Sequence, residues 1–412
     1  MTEMKPNALA VFNSNDIYPI GADSTIPFQQ DRNIYYLSGV DQEESILVLF
    51  PDAPKDKHKE ILFLKETNEH IAVWEGEKLT KDKALETSGI KTVYWLKDFH
   101  KIFHEVMSQA DTVYINTNEH YRANHDTKTR EDRFNVWLKD NYPAHQVAKS
   151  NPILQRQRSV KHQLELDIMQ QACNITEKAF RRILKHTKPG VWEYELEAEI
   201  IHEFIRNRSK GFAYTPIIAG GLNATVLHYI ENKDKCKDGD LILLDVGAEY
   251  ANYASDMTRT IPVNGRFTDR QKQIYKAVNK VKNEATKLLV PGVFLDEYHV
   301  EVGKIMTSEL LDLKLIDKAD VQNENPEWPA YKKYFMHGTS HHMGLDTHDY
   351  GLIHEPLKAN QVLTVEPGIY IPNENIGIRL EDDVVVQTQG EPFNLMRNIP
   401  IEIEEIEDLM NA

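Results

Sequence analysis

The sequence predicts an α/β (α+β) protein in two parts, a small N-terminal α/β domain over residues 1–152 and a larger, internally duplicated domain over residues 153–412. Three observations carry that prediction. A chain of 412 residues is longer than one ordinary domain. Its first part alternates short β-type apolar runs with helical ones. Its second part repeats itself in outline, with one turn signal leading into a helix in each half.

In the first part, Ala8–Phe12, Ser45–Phe50, Glu60–Leu64, Thr92–Trp95 and Thr112–Ile115 read as strands. Asp98–Met107 and Arg130–Asp140 read as helices. Val147–Lys161 is polar, contains Asn151-Pro152 and four basic residues, and lacks apolar periodicity, so the domain boundary is expected there.

In the second part, a helical segment, Leu164–Lys185, ends in Lys188-Pro189-Gly190-Val191-Trp192, and a helix follows from Glu193 to about Arg206. Later, Asp269–Leu289 ends in Val290-Pro291-Gly292-Val293-Phe294, and a helix follows over Asp296–Leu311. Leu241-Ile242-Leu243-Leu244-Asp245-Val246-Gly247 then matches Val362-Leu363-Thr364-Val365-Glu366-Pro367-Gly368. Asp256, before Met257-Thr258-Arg259, falls where Glu381 follows Arg379-Leu380. A duplicated half-domain would bring the two acid pairs together across a pseudo-twofold axis. The competing reading is chance similarity between two αβ halves.

Composition narrows the function classes. With 41% hydrophobic residues the chain can bury a sizeable core. A net charge of −16, with no stacking motif beside basic residues, argues against nucleic acid as a partner. The two cysteines, Cys173 and Cys236, provide no disulfide framework or thiolate metal site and suit a reducing cytoplasm. Met1–Asp16 lacks the plan of a secretion signal, and no apolar run approaches a membrane span, so a soluble cytoplasmic protein is expected. Ala219-Gly220-Gly221-Leu222-Asn223 lacks the spacing and lysine of a phosphate loop. There is no Gly-x-Ser-x-Gly elbow.

Asp245 ends an almost wholly apolar strand-like run, where an unpaired carboxylate is costly, and Glu366 holds the matching place. Singly, each reads as a cap or a solvated acid; together they read as metal ligands. Around Glu381, Ile376, Ile378 and Leu380 point one way, and Arg379, Glu381 and Asp383 the other. That polar face either lines a site or is solvated. His337, His341, His342 and His348 crowd into 12 residues. Gly338 and Gly344 disfavour a zincin helix, leaving a loop-and-strand segment that feeds a metal site, or a surface cluster. His228 precedes the first acidic strand and alone reads as a core histidine. Two aspartates, two glutamates and one histidine suit two divalent cations, whose charge four carboxylates cancel. Such a pair, roughly 3.5–4 Å apart, can bridge a water and deliver hydroxide to a carbonyl carbon.

These residues, in this order, resemble the pita-bread metallopeptidase family, and most closely its Xaa-Pro aminopeptidases (aminopeptidase P). The resemblance covers nearly the whole chain. It includes a creatinase-type N-terminal domain with Gln30-Asp31-Arg32-Asn33-Ile34-Tyr35-Tyr36-Leu37-Ser38-Gly39. It implies a pita-bread catalytic domain that hydrolyses the N-terminal Xaa-Pro bond of peptides. Asp245 would hold one metal, Asp256 and Glu381 would bridge both, and His341 and Glu366 would complete the other, usually manganese. Glu366 would also shuttle a proton. His228, His337 and His348 would position substrate and stabilise the transition state, beside Arg379 and the pocket residue Tyr370. Trp74 matches a tryptophan that reaches a neighbouring subunit's site in tetrameric members, and a homodimer or homotetramer is implied. Thr347 and Tyr350 depart from the family, which often has valine at both places.

The nearest rival is the Xaa-Pro dipeptidase (prolidase). Gly338-Thr339-Ser340-His341-His342 looks like the aminopeptidase form, and the Tyr370–Arg379 connection is short where many prolidases carry an insertion. A metal-free binding relative is the remote alternative, and the intact ligand set speaks against it.

Overall fold

The computed structural model describes residues 3–123 and 126–412, so Met1 and Thr2, at the head of the segment read for a secretion signal, lie outside them. The chain divides into two compact units, Met1–Gln155 and Arg156–Ala412.

In the first unit, strands β1 (Ala8–Asn13), β2 (Ile46–Leu49), β3 (Glu60–Leu64), β4 (Thr92–Trp95), β5 (Thr112–Ile115) and β6 (Gln146–Lys149) form one sheet in the order β4-β3-β2-β1-β5-β6. β1, β5 and β6 run parallel, whereas β1–β2 and β2–β3 are antiparallel. Alternate residues face opposite layers. Leu9, Val11, Val48 and Phe63 pack against helices α4 (Phe99–Met107) and α5 (Arg130–Asn141). Ala10, Phe12, Leu47 and Leu62 pack against α1 (Arg32–Ser38) and α3 (Lys81–Ser88). Burial on both faces explains why these strands read as continuous apolar runs. Trp74 lies on the short helix α2 (Glu69–Glu75), 79% exposed.

The polar stretch in which the domain boundary is expected is itself ordered. β6 joins the sheet edge beside β5, and α6 spans Asn151–Ser159. β6 is mostly exposed, which is why it carries no apolar pattern.

In the second unit, α7 (Gln163–His186) buries Leu166, Met169, Cys173, Thr176, Phe180 and Ile183, one stripe at helical spacing. Next come α8 (Glu193–Arg206) and the strands β7 (Gly211–Phe212), β8 (Ile217–Gly220), β9 (Leu241–Val246), β10 (Ala248–Tyr250), β11 (Tyr253–Ala254) and β12 (Met257–Pro262). The second half opens with α9 (Asp269–Leu288), whose N-terminus Thr268 and Gln271 close with a capping box. It continues through α10 (Leu295–Asp312), α11 (Lys318–Gln322), β13 (Val362–Val365), β14 (Gly368–Ile371), β15 (Ile376–Arg379), β16 (Asp382–Val385), β17 (Phe393–Asn394) and α12 (Ile403–Met410).

The repeat is visible in the backbone. Gly190 and Gly292, in the two Pro-Gly-Val turns, adopt φ of 93° and 94°, a region that favours glycine. β9 pairs with β12, and β13 with β16, both antiparallel. The registers refine the expected correspondence. Thr258 lies opposite Asp245, while Val365↔Asp382 and Gly368↔Arg379 place Glu381 opposite Glu366. Glu381 therefore corresponds to Thr258 rather than to Asp256, which lies two residues earlier.

Candidate metal centre

The two halves meet where β12 runs beside β15. The Thr258 carbonyl accepts from the Glu381 N–H at 3.0 Å, and Thr260 Oγ1 donates to the Arg379 carbonyl at 3.1 Å. This contact brings Asp256 and Glu381 together. The histidine segment then adds to the edge of β13: Thr364 N–H donates to the His341 carbonyl at 3.0 Å, and Met343 N–H to Val362 at 3.0 Å. It is the loop-and-strand feeder considered above, not a surface cluster.

One ligand atom each of Asp256, His341 and Glu381 lies within 4.8 Å of the others. His341 Nε2 is 3.5 Å from Asp256 Oδ2 and 3.7 Å from Glu366 Oε1. Its Nδ1 faces the His342 carbonyl at 3.1 Å, so Nδ1 carries the donated hydrogen and Nε2 turns to the acids. A backbone acceptor of this kind is what orients a ligating imidazole. Asp245 stands at the end of β9, where Tyr214 O–H donates to its Oδ1 at 2.7 Å and Arg379 donates to Oδ2. Thr258 Oγ1 donates to Glu381 at 2.6 Å, and the Asp256 N–H donates to Asp383 at 3.0 Å.

Of the carboxylates so gathered, with one arginine against them, Asp245, Glu366 and Glu381 do not ionise freely. Burial and the neighbouring acids Asp256, Glu366 and Asp245 push Glu381 well above the carboxylate range. Burial raises Glu366 to about 7, against the opposing pull of His341 and Arg379. Burial and Asp256 also raise Asp245, although Arg379 opposes them. Burial favours neutral His341, but Asp256 and Glu366 outweigh it and hold its pKa up. A divalent cation removes each of these penalties at once, because it favours the ionised acids and the neutral imidazole. The donor set, acid oxygens with one imidazole, fits such a cation.

Arg379 is buried and threefold engaged: Nε with Thr258 Oγ1 at 3.1 Å, one terminal nitrogen with Tyr370 O–H at 2.9 Å, the other with Asp245. His337 Nδ1 meets the Gly338 carbonyl at 2.8 Å, and its Nε2 meets Tyr370 O–H at 2.8 Å. Burial and the nearby Arg379 charge lower His337 to about 3, so the ring is neutral. The carbonyl then takes the Nδ1 hydrogen, leaving Nε2 to accept from Tyr370. His337 thus props Tyr370. The His348 ring is exposed and lies edge-on to His341, centroids 4.3 Å apart. His228 is exposed on the segment after β8, between Leu227 and Tyr229, which pack against the cluster that contains Tyr370.

Every residue expected in the second unit therefore lies at or beside this cluster. The polar face around Glu381 is buried rather than solvated: Arg379, Glu381 and Asp383 are each at most 4% exposed. Tyr214, which donates to Asp245, carries no motif signal. Tyr350 is buried with Arg158 over its ring at 4.6 Å.

Comparison with known proteins agrees with this geometry. Residues 167–388 match the model of metallopeptidase family M24, and residues 1–114 match the aminopeptidase P N-terminal domain. The chain is 34% identical to a Xaa-Pro aminopeptidase of Haemophilus influenzae, covering 99% of this chain and 94% of that one. It is 34% identical to the Xaa-Pro aminopeptidase of Escherichia coli, with 100% and 95% covered. Among solved structures, Pseudomonas aeruginosa aminopeptidase PepP superposes with a TM-score of 0.90 at 32% identity, covering 100% of this chain and 95% of that one. Zinc-substituted E. coli aminopeptidase P in complex with product gives 0.87 at 32% identity and the same coverage. The chain belongs to metallopeptidase family M24, in its aminopeptidase P branch.

Proposed function

We propose that the protein is a Xaa-Pro aminopeptidase that hydrolyses the bond between the N-terminal residue and a following proline, using two divalent ions, Mn(II) in its working form. The observation that carries this reading is the convergence of Asp256, His341 and Glu381, with Asp245 and Glu366 beside them, in a chain similar over its whole length to Xaa-Pro aminopeptidases. Asp245, Asp256, His341, Glu366 and Glu381 would hold the ions.

When bound, the cations supply Lewis acidity and a water of lowered pKa at the scissile carbonyl. Glu366, the most exposed of the acids at 20%, is placed at the open side to receive a proton from the attacking water and return it to the leaving nitrogen. His348 stands beside His341, where it would donate a hydrogen bond to the developing oxyanion. Arg379 fixes Asp245 and Tyr370, and Tyr370 with His337 would line the substrate side of the site. The Xaa-Pro amide has no N–H, so attack centred on its carbonyl does not depend on binding that hydrogen.

The aminopeptidase reading is favoured over the dipeptidase by the Gly338–His342 motif and by the short Tyr370–Arg379 connection, a hairpin with Tyr370↔Gly377 in register. Residues 1–152 would serve as the creatinase-like domain. Trp74, exposed on α2, would reach the substrate site of a neighbouring subunit in a homodimer or homotetramer. Among the described residues no helix is long and apolar enough to cross a membrane, and we place the protein in the cytoplasm. A panel of Xaa-Pro, Xaa-Pro-Xaa and Xaa-Ala-Xaa peptides, assayed with and without Mn²⁺, tests the reading. Manganese-dependent cleavage of the Xaa-Pro-Xaa tripeptides is expected. Cleavage of Xaa-Pro dipeptides alone would make the protein a prolidase.

A further inference from the structure

Helix α8 presents two glutamates one turn apart, Glu193 and Glu197, to the segment that follows β8. The mechanism above uses neither. Glu193 is fully buried, yet it accepts four hydrogen bonds. Its Oε1 accepts from Gly220 N–H at 2.7 Å and Asn223 Nδ2 at 3.2 Å. Its Oε2 accepts from Tyr229 O–H at 2.7 Å and Asp234 N–H at 2.8 Å. One turn on, Glu197 accepts from Asn232 Nδ2 at 2.9 Å, while Asn232 Oδ1 accepts from Ile218 N–H at 2.9 Å.

The residues so gathered bracket His228. Apart from a 3-10 turn over Gly221–Thr225, no helix or strand spans 221–236, and backbone bonds between 190–193 and 234–236 tie only its far end, leaving the residues around His228 to side-chain contacts. Leu227 and Tyr229 pack inward on Ile217, Ala224, Leu243 and Tyr370, and His228 between them is exposed. Tyr370 is the residue that joins His337 to Arg379.

We propose that Glu193 is a positioning residue for the peptidase reaction: its carboxylate collects donors from both sides of His228 and so fixes that histidine beside the Tyr370 cluster. The proposal rests on the reading of His228 as a substrate-positioning group. A carboxylate is required because Gly220 N–H, Asp234 N–H and Asn223 Nδ2 can only donate. A glutamine would set its amide hydrogens against one of the two backbone N–H groups whichever way it turned.

The test is a double-mutant cycle on the manganese-loaded full chain, reading kcat, KM and metal content with a Xaa-Pro-Xaa peptide. Glu193→Gln is expected to lower kcat/KM at least tenfold with the metal content unchanged. Tyr229→Phe, which removes one donor and no buried charge, is expected to lower it about threefold and serves where Glu193→Gln does not fold. In a His228→Ala background each change is expected to cost less than twofold. Equal factors in both backgrounds, or wild-type rates in both single variants, would overturn the proposal while leaving the role of His228 intact. Wild-type rates in His228→Ala itself would overturn that role and the proposal with it.

Discussion

Asp349 follows His348 and is the best place to ask what holds the histidine loop, since residues 343–350 contain no regular secondary structure. Its side chain is 1% exposed and bridges two buried cations, Arg158 at 2.6 Å and Lys161 at 2.9 Å. Asp349→Ala leaves both without their shared partner. Removing one partner of a buried ion pair costs about 3–5 kcal/mol. Asp346, 2.8 Å from Arg158 and half exposed, compensates only in part. A second route gives a similar size. Burial alone would raise the Asp349 pKa, but Arg158 and Lys161 outweigh it and lower it from 3.8 to about 2. At about 1.4 kcal/mol per unit, that is roughly 2–3 kcal/mol of stability tied to the ionised form. Because the folded value is depressed, this stability is fully present above the unfolded value, near 4, and is lost as pH falls toward 2. Thermal unfolding at pH 7 should therefore show a fall in Tm of roughly 6–20 °C for Asp349→Ala, shrinking as the pH is lowered through that window. A Tm within about 2 °C of wild type at pH 7 would refute the reasoning, as would a deficit that does not change with pH.

Three further outcomes follow from the geometry. Tyr370→Phe removes the hydroxyl that joins Arg379 to His337, and kcat should fall about tenfold to hundredfold with metal content unchanged in elemental analysis. Gly247→Ala should cost about 3 kcal/mol or more in urea unfolding, because a Cβ there would lie 1.7 Å from the Ser255 carbonyl oxygen. Metal uptake must displace the proton that Asp256 and Glu366 hold on His341, against the effect of burial. Affinity should weaken by about tenfold per unit as pH falls below that raised value, with proton release measurable by calorimetry in two buffers.

The parts of the fold legible in the sequence are those whose signal is local. β1 to β5 and the helices α7 to α10 announce themselves through apolar runs, helical spacing and Pro-Gly turns. β6 and α6 do not, because one is an exposed edge strand and the other a polar helix. At the site, Asp245 and Glu366 stood out because they hold matching places in the two halves, and the histidines because four crowd into 12 residues. Their supports stayed hidden. Tyr214, Glu193 and the Arg158–Asp349–Lys161 cluster depend on contacts between residues 27 to 191 positions apart, and no single one of them has an unusual neighbourhood in sequence. The register, too, belongs to the backbone: only strand pairing shows that Glu381 faces Glu366 while Asp256 does not face Asp245.

Metal stoichiometry tests the central claim most directly. Wild-type protein, Glu381→Gln and His348→Ala should be dialysed to equilibrium against Mn²⁺ and analysed for bound metal. Wild type and His348→Ala should each retain two ions per chain, with turnover in His348→Ala lowered about a hundredfold, while Glu381→Gln should lose metal and activity together. Two ions held at full occupancy by Glu381→Gln would contradict the account.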